Sequence, residues 1–70
     1  MPDVEAHITG TVWKIECRLG DAVTEGDIVV VLESMKMEMP VEAEDAGTVK
    51  DIRCEEGQAV NEGDTLVVLG

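Results

Sequence analysis

Residues 4–32 recur as residues 41–69: with the chain shifted by 37 positions, 17 of the 29 aligned pairs are identical. The shared blocks include Val4-Glu5-Ala6 with Val41-Glu42-Ala43, Gly10-Thr11-Val12 with Gly47-Thr48-Val49, Glu25-Gly26-Asp27 with Glu62-Gly63-Asp64, and Val30-Val31-Leu32 with Val67-Val68-Leu69. A copy this short cannot bury a core of its own. The two copies must therefore bury their apolar faces against each other. Their residues favour strands. Val, Ile and Thr together supply 20 of the 70 residues, and β-branched side chains suit the pleated sheet. No window places apolar residues at i, i+3, i+4 and i+7 for long enough to make a helix. The repeat predicts one domain over residues 1–70, a two-layer β structure with an approximate two-fold axis. Its halves are 4–32 and 41–69, joined by a hairpin over 33–40.

Each copy can be divided further. A short strand leads to Gly10 or Gly47, and a longer strand follows over Thr11–Leu19 or Thr48–Glu55. In the first of these, Ile15 and Cys17 alternate with Lys14, Glu16 and Arg18, giving one apolar and one charged face. The step from Val12 to Ile15 is out of phase with that alternation, and Val49 to Ile52 repeats it. A bulge or an outward-pointing residue is expected there. Gly20–Asp27 and Gly57–Asp64 carry turn chemistry around an Ala-Val pair that touches the core. The final strands are Ile28–Glu33 and Thr65–Gly70.

Charge excludes several functions. Five Lys and Arg face 16 Asp and Glu, a formal charge of −11. Such a polyanion has no attraction for phosphate backbones or anionic lipid, so neither nucleic acid nor a membrane surface is expected as a partner. The longest apolar run, Ile28 to Leu32, is too short to span a bilayer. Met1-Pro2-Asp3-Val4-Glu5 has neither a basic start nor an apolar stretch after it, and the expectation is a cytoplasmic protein. Cys17 and Cys54 are too few for a disulfide framework and read as packing residues. His7 has no second ligand type beyond carboxylates, so no metal is expected. The carboxylates form no pair at a substrate pocket, so acid–base catalysis has no support. Trp13, the only aromatic residue, stands where the second copy has Lys50; it reads as a cover for the barrel or as a partner contact.

Residues 33–40, Glu33-Ser34-Met35-Lys36-Met37-Glu38-Met39-Pro40, have no counterpart in the repeat. The midpoint of the matched span falls between Lys36 and Met37, which puts Lys36 near the turn of the joining hairpin and the chain ends at the opposite pole. Lys14, Arg18, Lys50 and Arg53 lie within the copies, and Lys36 alone lies outside them. If the segment were continuous strand, Met35, Met37 and Met39 would point one way and Lys36 and Glu38 the other.

Glu33-Ser34-Met35-Lys36-Met37-Glu38 resembles the biotinylation motif of biotin carboxyl carrier domains, usually Glu-Ala-Met-Lys-Met. The paired Gly-Asp-x-Val-x-x-Gly-Asp and Ala-x-x-x-Gly-Thr-Val blocks also resemble the biotinyl/lipoyl attachment family, and the likeness runs over about residues 3–70. It is most similar to stand-alone bacterial biotin/lipoyl attachment proteins. The resemblance implies an all-β fold, a flattened eight-stranded barrel-sandwich of two four-stranded sheets. It implies covalent biotin on Lys36, with Met35, Met37, Ser34 and Glu33 as the surrounding recognition residues. A biotin protein ligase would be the modifying partner. Carboxybiotin would then be presented to biotin carboxylase and carboxyltransferase sites, the chain being a non-catalytic carrier and a subunit of a carboxylase or decarboxylase. A free lysine amine is almost wholly protonated at neutral pH, so the ligase supplies the deprotonation and the domain supplies position. Ser34 replaces the common Ala, both being small, and Ala6-His7-Ile8-Thr9-Gly10 replaces Ala-Pro-Met-x-Gly. Val12-Trp13-Lys14-Ile15 runs straight on, without the thumb that some acetyl-CoA carboxylase carriers insert. A lipoyl carrier is the second reading. Lipoyl domains more often have Glu-Thr-Asp-Lys-Ala at the turn, and methionines on both sides with no Asp before Lys36 favour biotin over lipoate. The third reading is an unmodified adaptor that binds proteins through its acidic surface.

Overall fold

A computed structural model describes residues 3–70. The elements in chain order are β1 (Asp3–Glu5), β2 (Gly10–Ile15), β3 (Ala22–Val23), β4 (Ile28–Ser34), β5 (Met37–Glu42), β6 (Gly47–Ile52), β7 (Ala59–Val60) and β8 (Thr65–Leu69). Two four-stranded sheets have the orders β1-β8-β6-β3 and β5-β4-β2-β7, with antiparallel pairing throughout. Advancing every strand by four converts one order into the other, which is the two-fold relation the repeat demands. Each sheet draws strands from both copies, so neither copy has a sheet of its own. Among the described residues no helix is long and apolar enough to cross a membrane.

The core follows the repeat residue by residue. The buried apolar side chains form eight equivalent pairs, Val4/Val41, Ala6/Ala43, Val12/Val49, Cys17/Cys54, Val23/Val60, Val29/Leu66, Val30/Val67 and Leu32/Leu69. Among the described residues no polar or charged side chain is buried. Removing apolar surface from water is the main force holding so small a domain together, and at this size it leaves only about 3–5 kcal/mol of net stability.

The out-of-phase step is a bulge in both copies. Val12 pairs with Leu32 and Lys14 with Val31, and the register shifts between them; the same shift separates Val49 from Asp51. Val12 therefore faces the core and Ile15 packs against it, while Trp13 and Lys14 stay outside. The longer strand ends sooner than its alternation predicts, at Ile15 and Ile52 instead of Leu19 and Glu55. Past these points the chain leaves one sheet for the other. The Glu16 N–H still donates to the Val29 carbonyl, but the Gly20 N–H donates to Val49 across the barrel. Cys17 and Cys54 sit buried on these crossovers. Their periodicity is that of core residues, but their backbone is not strand.

Each crossover ends in turns built by short side chains. Asp21 accepts from the Arg18 N–H at 3.0 Å and Asp27 from the Thr24 N–H at 2.8 Å. Gln58 and Asp64 repeat these bonds with Glu55 and Asn61 at 3.0 and 2.8 Å. Gly26 takes φ +91, a conformation that L side chains rarely adopt.

Candidate functional site

The β4–β5 hairpin closes with Ser34 opposite Met37, so Met35 and Lys36 alone form the turn. Both take positive φ, 53° and 64°. Two successive left-handed residues make the mirror-image turn whose twist suits a two-residue hairpin, a turn usually built from Asn-Gly or Gly-Gly. Holding residues with a Cβ there costs about 1–2 kcal/mol each. The cost is borne at the one place in the fold where a lysine projects from an apex. The alternation expected for continuous strand does not reach the apex: Met35 and Lys36 are both turn residues, and the two-sided pattern begins only at Met37. From there Met39 and Val41 turn increasingly inward, Met39 half-buried and Val41 buried.

The surroundings of Lys36 are apolar and open. Met35 is 91% exposed and Met37 61% exposed. Methionine in such positions offers flexible, polarizable contact to more than one partner surface. Among the described residues Lys36 has no carboxylate in salt-bridge range, whereas Lys14 pairs with Glu16 at 3.5 Å and Arg53 with Asp51 at 2.6 Å. Glu33 is exposed and lies opposite Glu38, and Ser34 is half-buried at the hairpin's neck. The five residues singled out from the sequence, Glu33 to Met37, are thus contiguous along the hairpin and its turn. Lys50 lies within β6 instead of at an apex.

A scaffold holds this apex from below. Gly10 opens β2 directly beneath the strand that enters the hairpin, and a Cβ added to it would stand 2.6 Å from the Glu33 carbonyl oxygen. Its equivalent, Gly47, has 3.3 Å to the Leu69 Cβ. The closer approach belongs to the copy that supports the lysine. β5 is an edge strand, which accommodates Pro40 because the side of the backbone lacking an N–H can face away from the sheet.

Two grooves on the surface lie elsewhere, and neither contains residues 33–37. One groove of about 300 Å³ follows the seam between the edge strands β1 and β5, lined by Glu5, Glu42, Glu44, Glu62 and His7 among others. Among the described residues no group of three or more His, Cys, Asp and Glu is placed to hold a metal ion. Burial pushes both thiols above their ordinary pKa of 9.0; the Asp21 carboxylate adds to this at Cys17, and the Cys17 thiolate adds to it at Cys54. Both thiols are therefore held in the inert protonated form at neutral pH.

An interleaved β barrel that extends a lysine from the apex of a two-residue hairpin is the architecture of a carrier domain. The chain belongs to the biotin/lipoyl attachment family, whose description is "Biotin-requiring enzyme"; the family model matches residues 1–69. Similar proteins include the biotinylated protein TB7.3 of Mycobacterium tuberculosis, 51% identical over 39 residues that cover 56% of this chain and 55% of that protein. The biotin/lipoyl attachment protein of Bacillus subtilis is 44% identical over 38 residues, 54% of this chain and 52% of that one. The matches thus span about half the length of these curated relatives. Among solved structures, the urea carboxylase of Kluyveromyces lactis superposes with a TM-score of 0.91 at 37% identity, covering 97% of this chain and 6% of that one. The chain is a biotin-attachment domain of the kind found in biotin-dependent carboxylases and in biotinylated proteins, and as such a carrier and not a catalyst.

Proposed function

We propose that Lys36 is the residue that carries biotin, that a biotin protein ligase attaches it, and that the loaded domain serves a biotin-dependent carboxylase or decarboxylase. The observation that carries this reading is the pair of left-handed residues at the hairpin apex, one of them the lysine. An exposed primary amine with no ion-pair partner among the described residues is free to enter an enzyme's cleft, and the barrel beneath it keeps it from folding back. In the attachment step the deprotonated Nζ attacks the activated carboxyl carbon, an amide forms, the activating group leaves, and the proton passes to the ligase. Met35 and Met37 provide the apolar contact on either side of the amine, and Glu33 and Ser34 lead the chain into the turn. When attached, biotin supplies a ureido nitrogen that takes up a carboxyl group at one active site and releases it at another. The reading places the domain with the ligase and its ATP in the cytoplasm.

Incubation with ligase, biotin and ATP, followed by intact mass and peptide mapping, tests the reading. One biotinyl increment on the peptide containing Lys36 is expected. Lys36→Arg abolishes it, while Lys14→Arg and Lys50→Arg retain it. A label persisting in Lys36→Arg, or a lipoyl increment on the protein from its native cell, overturns it.

A further inference from the structure

Inside the barrel the two copies match pair by pair, and outside they diverge in one direction. Trp13, Leu19 and Ile28 are 49%, 65% and 46% exposed, and the residues 37 positions later are Lys50, Glu56 and Thr65. The same backbone accepts polar residues at all three places, so the fold itself does not require the apolar ones. Of the three, Trp13 is nearest the hairpin. It projects outward from the β2 bulge, on the sheet that contains β4 and β5. In the neighbouring row Val31 lies between Lys14 and Pro40, and one row closer to the apex Glu33 lies between Thr11 and Glu38. The corresponding outer row of the other sheet presents Asp51, Val68 and Asp3, and the bulge residue beside it is Lys50. The outer face behind Lys36 thus has an apolar centre and a carboxylate rim, and its two-fold mate lacks the aromatic.

We propose that this face, centred on Trp13, docks the biotin protein ligase. The proposal rests on Lys36 being the attachment residue. A lysine side chain is five bonds of about 1.5 Å each and reaches only about 6 Å from its Cα, so the attaching enzyme must come down onto the hairpin itself. Trp13 lies roughly 12 Å along the strands from the turn. A standard interface of about 800 Å² per partner, drawn as a disc, extends roughly 16 Å from its centre. A ligase footprint centred on Trp13 therefore takes in the apex as well, and tryptophan is among the residue types that most often dominate such contacts. An enzyme acting at the far end of an attached arm has no need to approach so near. The Glu33/Glu38 rim and the net charge of −11 select a ligase surface with an apolar recess edged by Lys and Arg.

Steady-state biotinylation by the ligase of the same organism tests the proposal. Trp13→Lys places at this site the residue its two-fold mate already holds, and is expected to raise KM for the carrier about tenfold with kcat within twofold. Trp13→Phe stays near wild type, and so does the reciprocal Lys50→Trp. Because the chain has one tryptophan, 5-fluorotryptophan labelling gives a single ¹⁹F resonance in the otherwise unaltered protein, and adding ligase should shift or broaden it. An unchanged KM in Trp13→Lys, a loss confined to kcat, or a ¹⁹F signal indifferent to ligase overturns the docking face. Wild-type protein left unlabelled at Lys36 overturns instead the attachment reading beneath it.

Discussion

Leu32 and Leu69 occupy equivalent places in the barrel, and so do Gly10 and Gly47, but only the first of each pair supports the hairpin that bears Lys36. At the two-fold equivalent of that hairpin lies Gly70, which exchanges backbone hydrogen bonds with Thr48 in both directions, at 2.9 and 3.0 Å. One pole of a symmetric fold presents a lysine on a two-residue turn, and the other is closed by hydrogen bonds. The shared core shows what the fold needs. The unshared features, which are two left-handed residues, a tighter glycine contact and an exposed tryptophan, show what has been added for use.

The largest effects should ignore this distinction. Leu32→Ala and Leu69→Ala each leave a cavity at a fully buried site, at about 2–5 kcal/mol. Urea unfolding followed by circular dichroism should find both variants close to unfolded and within about 1 kcal/mol of each other; a wider gap would break the equivalence of the halves. The glycines should begin to separate the poles. Gly10→Ala forces its Cβ against the Glu33 carbonyl oxygen and should lose about 1–3 kcal/mol, whereas Gly47→Ala, with more room, loses less; equal midpoints would remove the tighter contact as a feature of the lysine-bearing pole. The apex should respond least and in the opposite sense. Replacing Met35-Lys36 with Asn-Gly relieves two left-handed side chains and should gain about 1 kcal/mol, seen as a higher thermal midpoint, while removing the amine. A loss of stability in that variant would show that the turn is not strained.

Much of this was legible before any coordinates. The repeat implied two layers with a two-fold, and the unmatched segment placed Lys36 at the joint between them. Val12 and Ile15, out of phase by one residue, marked the bulge. The strand ends were not legible. Cys17 continues the alternation of β2 because its side chain is still buried, but the backbone has already turned toward the other sheet, and burial periodicity cannot register that departure. The left-handed apex was also hidden, because Met-Lys carries none of the Asn-Gly chemistry that announces such a turn. Trp13 read equally well as a barrel cover or a contact, since sequence alone does not say which way a bulged residue faces; the structure leaves it half-exposed outside the core.

Lys36 belongs to neither copy. Duplication doubled the core, the turns and the thiols, but it created the joining loop only once, because a chain of two units has a single seam. A molecule symmetric in nearly every other respect therefore has one such lysine, and on the proposed reading its loading has no intermediate stoichiometry: each domain is either empty or full.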